Sequence, residues 1–167
     1  LVGSAPPYPH AMVDPISEMA TLAGKHGLWL HVDACIGGFF LPFARELGRP
    51  MPAFDFTLDG VNSISVDLHK YGYANRGVST LLLRDAELLA YHRFSWDNWP
   101  AGRYTTTAIA GSRNAGALAS AWAVMRYLGC AGYRERVAKI LAVKERMIET
   151  INAIDELTVW GEPHGGH

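Results

Sequence analysis

Apolar residues recur along the first third of the chain at spacings that predict a helix. Between Ile16 and Ala23 they fall at i, i+3, i+4 and i+7, which indicates one buried helical face. Asp14 and Pro15 precede this segment as an expected N-cap with proline at the first helical position. Gly27 suits a left-handed cap at the end of the helix.

Two short and mostly apolar runs, residues 28–34 and 61–66, predict buried strands. A strand, a helix and a strand joined by short connections are typical of an α/β fold with a parallel sheet. The apolar run 78–83 follows too closely for a helical crossover, so we expect an antiparallel neighbour there. The fold class predicted is therefore α/β, a mostly parallel sheet flanked by helices on both faces.

The sequence pattern in the second half of the chain predicts helices and loops. An alanine-rich segment, about 115–128, predicts a buried helix, and Gly129 and Gly132 separate it from an amphipathic helix that ends near Ala153. The remaining predictions are short helices at 39–48 and 86–92, an aromatic loop at 94–103, and a strand-like run at 157–160.

Composition narrows the class of protein further. With 167 residues and a net charge of −1, the chain is predicted to form one globular domain without a nucleic-acid surface. Cys35 and Cys130 make no disulfide framework, which favours a reducing compartment such as the cytoplasm. No apolar run is long enough to span a membrane. The seven histidines stand at no recognised ligand spacing on a helix, so no metal site is expected.

Residues that can carry chemistry follow the ends of the two predicted parallel strands. Alternation places His31, Asp33 and Cys35 on one face of the first strand, and Lys70 follows the second. A lysine attacks carbonyl groups when burial or a neighbouring positive charge lowers its pKa. Ligands of open α/β sheets bind outside the carboxyl ends of the strands, so Asp33 and Lys70 should converge on one ligand. Pyridoxal phosphate needs such a pair, a lysine for the Schiff base and an acid that keeps the ring nitrogen protonated.

Four motifs in chain order resemble one enzyme family. They are SAPPYPH at 4–10, HVDACIGGF at 31–39, DLHKYGYA at 67–74 and IAGSR at 109–113. Together they resemble the sphingosine-1-phosphate lyases, a branch of the group II pyridoxal-phosphate decarboxylase family of fold type I. The resemblance implies that residues 1–167 are the C-terminal part of the large cofactor-binding domain, running to the start of the small domain. It also implies a longer chain, because the family's upstream phosphate loop, ring-stacking histidine and small domain lie outside these residues.

The resemblance implies a role for individual residues. Lys70 would form the Schiff base, and Asp33 would pair with the pyridine nitrogen. Cys35 would lie under the ring, and His69 would contact the cofactor phosphate. Tyr8 would approach the substrate and serve as an acid or base.

Three further residues have roles that are implied less directly. Gly111 and Ser112 resemble a loop that reaches a phosphate in the other subunit of a homodimer, and His31 would support the cofactor site from behind. Simpler alternatives stay open: His31 as a satisfied buried histidine, Cys35 as a small core residue, Tyr8 as loop packing, and Ser112 with Arg113 as a helix cap.

The implied reaction is retro-aldol cleavage of a sphingoid base 1-phosphate, a phosphorylated long-chain amino alcohol, to a fatty aldehyde and phosphoethanolamine. An amino-acid decarboxylase would use the same Lys70 and Asp33 and release carbon dioxide. A third hypothesis is a catalytically silent piece, and residues 1–167 alone are expected to be inactive.

Overall fold

The computed structural model describes residues 1–167 and contains one four-stranded sheet. Its strands are β1 (Val2–Ser4), β2 (His31–Asp33), β3 (Ser63–Asp67) and β4 (Ser79–Leu83). They neighbour one another in chain order: β1, β2 and β3 run parallel, and β4 runs antiparallel to β3. This confirms the mostly parallel sheet and its antiparallel fourth strand.

The helices are α1 (Ile16–His26), α2 (Leu41–Glu46), α3 (Leu89–His92) and α4 (Ala115–Asn152). Short 3-10 turns at Gly37–Phe39 and Ala86–Leu88 precede α2 and α3. Gly27 ends α1 in the left-handed conformation, with φ 60° and ψ 36°, as predicted. Gly129 interrupts α4 with φ 55° and ψ −178°, so the predicted division between two helices is confirmed. A side chain at that φ would be strained, which is why glycine stands at the break.

The prediction of Asp14 as the helix cap is wrong. Helix α1 begins after Pro15, and no side chain caps its first turn. The Asp14 carboxylate instead accepts a hydrogen bond from the Ser4 backbone N–H at 2.7 Å. Asp14 therefore ties the loop before α1 to the end of β1.

The sheet has one apolar face and one polar face, because side chains alternate along each strand. The apolar face carries Val32, Ile64 and Val66, which join a single core with residues of three helices. Those residues are Ala20 and Ala23 of α1, Leu41 and Ala44 of α2, and Val137 and Leu141 of α4. Burial of a side chain of valine or leucine size contributes about 1.5–3 kcal/mol, so this core fixes the strands in place.

We call the other side of β2 and β3 the polar face; it consists of His31, Asp33, Ser63, Ser65 and Asp67. Strand register sets His31 beside Ser63 and Asp33 beside Ser65. Ser63 is buried, whereas the remaining four residues keep partial exposure. The fold thus presents a ladder of hydrogen-bonding side chains that ends at the carboxyl edge of the sheet.

Predictions for the later part of the chain were less accurate. The expected aromatic loop is partly a two-stranded antiparallel hairpin, β5 (Phe94–Trp96) and β6 (Tyr104–Thr106). The alanine-rich half of α4 is largely exposed rather than buried, with Leu118 at 65% and Trp122 at 63%. Residues 157–160 form no strand. None of the helices combines the length and apolar character needed to cross a membrane.

Candidate active site

A cavity of about 650 Å³ opens beyond the carboxyl ends of β1, β2 and β3. Its volume lies in the range of small-molecule sites, about 300–1,000 Å³. The predicted residues Tyr8, Asp33, Cys35 and Lys70 all line it, whereas His31, His69, Gly111 and Ser112 do not. The two strand-end groups that were expected to converge on one ligand therefore face the same space.

Asp33 is held as a carboxylate by its neighbours. Its Oδ1 accepts hydrogen bonds from the Cys35 backbone N–H at 3.0 Å and from the Ser65 hydroxyl at 3.2 Å. Burial alone would raise the pKa of Asp33, but these hydrogen bonds and the positive charge of Lys70 outweigh it and lower the pKa. At neutral pH the group presents a negative charge to the cavity.

Lys70 is held by an acceptor that the sequence did not single out. Its Nζ lies 2.9 Å from Oδ2 of Asp67 and 2.9 Å from Sγ of Cys35. Burial lowers the pKa of Lys70, yet the hydrogen bonds to Asp67 and Cys35 outweigh burial and raise it. The pKa of Lys70 is therefore not lowered in the way that activates a lysine as a nucleophile, because a carboxylate three residues upstream stabilises the ammonium.

Cys35 connects the two charged groups. Its backbone N–H contacts Asp33 and its thiol contacts Lys70, so Asp33 and Lys70 are joined through a single residue. Burial raises the pKa of the Cys35 thiol, which keeps it in the neutral form. The adjacent Gly37 leaves no room for a side chain, because the Ala5 carbonyl packs directly against its Cα. Glycine at this position thus lets the loop after β2 pack closely on the loop after β1.

The segment after Lys70 folds back in tight turns. The N–H of Tyr73 donates to the Lys70 carbonyl at 3.0 Å, and the N–H of Ala74 donates to the Leu68 carbonyl at 2.9 Å. The buried Tyr133 hydroxyl from α4 donates to the Gly72 carbonyl at 2.8 Å and anchors this turn to the helix layer. These bonds direct the Lys70 side chain toward the cavity and bring Tyr71 and Tyr73 to its wall.

Tyr8 lies at the mouth of the cavity and is 77% exposed. Its ring stacks on His167, with ring centroids 5.8 Å apart and an interplanar angle of 9°. The tail reaches this position because the N–H groups of His164 and Gly165 donate to the Ala11 carbonyl at 2.7 and 2.8 Å. No sequence pattern predicts this contact, since residues 161–167 resemble a glycine-rich tail.

Four predicted site residues lie outside the cavity. The Nδ1 of His69 lies 3.1 Å from the Val78 carbonyl, and its Nε2 lies 3.7 Å from Asp67. Gly111 and Ser112 lie on an exposed loop before α4. That helix is capped by Asn114, whose side chain accepts from the Gly116 N–H at 2.8 Å, rather than by Ser112 and Arg113. His31 lies behind Asp33 and contacts Ser63 and Ser65.

Sequence reasoning missed Asp67, Ser63 and Ser65 as parts of the site. A usable signal was present, because these three residues alternate with Ile64 and Val66 along one strand. The same alternation identified His31, Asp33 and Cys35 on the neighbouring strand. Pairing the two polar faces would have predicted the hydrogen bonds behind Asp33 and the carboxylate beside Lys70.

The fold and the cavity together define a class of protein: an α/β protein with a lysine and an ionised carboxylate at the ends of neighbouring parallel strands. A family model described as the pyridoxal-dependent decarboxylase conserved domain matches residues 10–166, and the chain belongs to this family.

Individual members of the family differ in how similar they are to this chain. The chain is 47% identical to a sphingosine-1-phosphate lyase of Arabidopsis thaliana over 163 residues, which are 98% of this chain and 30% of that protein. The solved sphingosine-1-phosphate lyase of Burkholderia pseudomallei is 44% identical, with a TM-score of 0.93 over 98% of this chain and 37% of that one. The glutamate decarboxylase of Lactobacillus brevis is 27% identical, with a TM-score of 0.73 over 99% of this chain and 37% of that one. The chain thus spans about 30% of the length of the curated relative.

Proposed function

We propose that the full-length protein that contains this chain is a pyridoxal-phosphate-dependent lyase. Its substrates are sphingoid base 1-phosphates, and its products are a fatty aldehyde and phosphoethanolamine. The observation that carries the proposal is the shared cavity of Asp33 and Lys70. The closer likeness to a lyase (TM-score 0.93) than to a decarboxylase (TM-score 0.73) supports the choice of reaction.

The residues of the cavity fit pyridoxal phosphate on chemical grounds. The ionised Asp33 can hold a protonated ring nitrogen, since an ion pair at that position favours the charged form of both groups. Lys70 supplies a primary amine for the aldehyde, and the neutral Cys35 leaves an uncharged surface between the two. When bound, the cofactor supplies an electron sink for the electron pair that is released as the substrate's carbon–carbon bond breaks.

Asp67 sets the condition under which Lys70 reacts. The ammonium of Lys70 points a proton at Asp67, and that proton has to leave Nζ before the amine can bond to a carbonyl carbon. The raised pKa of Lys70 therefore keeps the amine protonated to higher pH and disfavours its attachment to the cofactor over that range. We infer that Asp67 orients the lysine and keeps it charged until a ligand enters the cavity.

Tyr8 is the proposed proton-transfer residue. Retro-aldol cleavage requires a base that removes the proton from the substrate's 3-hydroxyl group. The Tyr8 hydroxyl stands at the cavity mouth, where a substrate longer than the cavity would pass. Its stacking on His167 restrains the ring in that position.

We further propose a homodimer in which Gly111 and Ser112 serve the partner's site. Support comes from their exposed loop, which makes no contact with this chain's own cavity. By the same proposal His69 approaches the cofactor phosphate, and residues 1–167 alone are inactive. The two unpaired cysteines, Cys35 and Cys130, favour a reducing location such as the cytoplasm.

An amino-acid decarboxylase is the second candidate, favoured by the description of the matching family and by the likeness to a glutamate decarboxylase. One experiment separates the two reactions. The full-length protein, loaded with pyridoxal phosphate, is incubated with a sphingoid base 1-phosphate and, in parallel, with the common amino acids. We expect release of a long-chain aldehyde without carbon dioxide. Carbon dioxide from an amino acid, without aldehyde, would replace the lyase by the decarboxylase.

A further inference from the structure

A chain of four hydrogen bonds runs along the polar face behind Asp33. The Trp29 indole N–H donates to the Ser63 hydroxyl at 2.9 Å, and that hydroxyl lies 2.8 Å from Nδ1 of His31. On the other side of the ring, Nε2 of His31 lies 3.2 Å from the Ser65 hydroxyl, which donates to Oδ1 of Asp33 at 3.2 Å. This series of hydrogen bonds thus joins the surface near Trp29 to the Asp33 carboxylate in the cavity.

The carboxylate end of this series of hydrogen bonds fixes the proton on Nε2 of His31. An indole nitrogen only donates and an ionised carboxylate only accepts. The Ser65 hydrogen is committed to Asp33, so the Ser65 oxygen has to accept from Nε2–H of His31. The Ser63 oxygen already accepts from Trp29, so its hydrogen is free to donate to Nδ1. Because burial lowers the pKa of His31, the ring is neutral, Nδ1 accepts from Ser63, and all four bonds point toward Asp33.

We propose that His31 is a positioning residue that holds the Asp33 carboxylate in place through Ser65, in the neutral form with its proton on Nε2. The inference rests on the proposed function, because it assigns Asp33 to the cofactor ring. It separates His31 from the cofactor itself: the imidazole acts on a carboxylate that it does not touch. Outer residues of this kind commonly orient the group that meets the ligand.

Packing around the ring supports this assignment. Ser63 is 2% exposed, so its hydroxyl has few partners other than Trp29 and His31. Strand pairing fixes the spacing, since His31 lies opposite Ser63 and Asp33 lies opposite Ser65. Burial lowers the pKa of His31 and outweighs the opposing charge of Asp33, in agreement with a neutral ring.

Two amide substitutions test the direction of the hydrogen bonds between His31 and its two serine partners. In His31→Gln the side-chain amide reaches the position of Nε2 and can donate to Ser65. In His31→Asn the shorter amide reaches the position of Nδ1 and serves only Ser63. His31→Leu removes both contacts, and His26→Asn, at the exposed end of α1, is the matched control. The full-length protein is used throughout, and the dissociation constant of pyridoxal phosphate is measured together with the visible circular dichroism of the bound cofactor.

We expect His31→Leu and His31→Asn to weaken cofactor binding by about tenfold, the lower end for loss of an outer residue that orients a ligand-binding group, and to change the circular dichroism. His31→Gln should stay within about threefold of the unaltered protein and keep its spectrum, as a rescue by the matching donor. Equal behaviour of the Gln and Asn variants, or a Leu variant that binds normally, would overturn the inference.

A second variant covers the case in which changes at His31 prevent folding. Ser63→Ala is a small change that retains the imidazole, but it removes the donor to Nδ1 and so frees the ring to rotate. We expect a loss of a few-fold in affinity with an altered spectrum, and unchanged values would refute the role of His31. Failure of the unaltered protein to take up cofactor at all would instead refute the proposed function.

Discussion

The polar face of β2 and β3 contrasts with residues 94–128, which we call the outer segment. On the polar face every side chain has a partner within the chain: Asp33 with Ser65, His31 with both serines, and Asp67 with Lys70. The outer segment exposes large apolar side chains instead, among them Trp96, Trp99, Ile109, Leu118 and Trp122. Exposed apolar surface of this kind is typical of interaction sites. The lysine–carboxylate pair is thus built within one chain, whereas the outer segment leaves its large apolar side chains without cover from this chain.

Among variants of the two regions, Lys70→Ala should have the largest effect on turnover. The variant removes the only amine in the cavity, so aldehyde release by the full-length protein should fall by at least about 10⁴-fold, the scale for loss of a covalent group. The fold should persist, because the Lys70 side chain is 36% exposed and makes no core contact. Lys25→Ala, on the exposed side of α1, serves as the control. Substantial turnover without Lys70 would remove the covalent role.

Asp33→Asn should lower turnover by about 10³-fold, since removal of a charge aimed at the reacting system costs about that much. Part of the cofactor binding should remain, because asparagine can still accept from Cys35 and Ser65. Asp55→Asn is a matched control: Asp55 is another half-buried carboxylate with a lowered pKa, held by Thr57 and Arg45. Turnover and cofactor affinity are measured in parallel. A near-normal rate in Asp33→Asn would contradict the electron-sink account.

Tyr8→Phe should reduce turnover by about 10²-fold, the lower end for loss of a general acid or base. Cofactor affinity should not change, because the ring that stacks on His167 is retained. Tyr127→Phe, at an 87% exposed position, is the control. If both tyrosine variants turn over equally well, Tyr8 only packs the loop.

Trp122→Gln tests whether the exposed apolar side chains of the outer segment contact a second subunit. If the outer segment meets a second subunit, the variant should weaken self-association of the full-length protein by about tenfold or more, since buried tryptophans dominate interfaces. Its effect on the free energy of unfolding of the monomer should stay within about 0.5 kcal/mol, because the side chain is 63% exposed. Val143→Gln, on the exposed part of α4 after Gly129, is the matched control. Analytical ultracentrifugation that finds no change for Trp122→Gln would place the interface elsewhere.

Asp67→Asn should produce the smallest change. The raised pKa of Lys70 keeps the amine protonated to higher pH. Loss of the Asp67 charge leaves only the Cys35 contact to oppose burial, which lowers that pKa. The pH profile for attachment of pyridoxal phosphate, trapped by borohydride, should therefore move to lower pH, with a few-fold faster trapping at neutral pH. A profile that stays in place, or moves to higher pH, would show that Asp67 does not control the charge of Lys70.

The contrast between the internally paired polar face and the exposed outer segment explains which features the sequence could predict. Strands β2 and β3 and helix α1 follow from strong periodicity, and Gly27 and Gly129 stand where backbone geometry requires glycine. The hairpin of β5 and β6 was missed because its strands have three residues each and bury no face. Small apolar residues in the first half of α4 predicted burial, but the chain covers only one side of this half, with Ala117 and Ala121 buried and Leu118 and Trp122 exposed.

Within the site, residue types were easier to predict than their states of charge. Alternation and position brought Asp33 and Lys70 to one edge of the sheet, as the cavity requires. The raised pKa of Lys70 was not predicted, because Asp67 was not recognised as a neighbour of the amine. The direction of that shift depends on a contact of 2.9 Å, which spacing alone does not provide.

A crystal structure of the full-length protein loaded with pyridoxal phosphate would test the central claim most directly. We predict that Nζ of Lys70 is bonded to the aldehyde carbon of the cofactor and that the Asp33 carboxylate lies within hydrogen-bonding distance of the ring nitrogen. A ring that is bound elsewhere, or a ring nitrogen that Asp33 does not reach, would contradict the account.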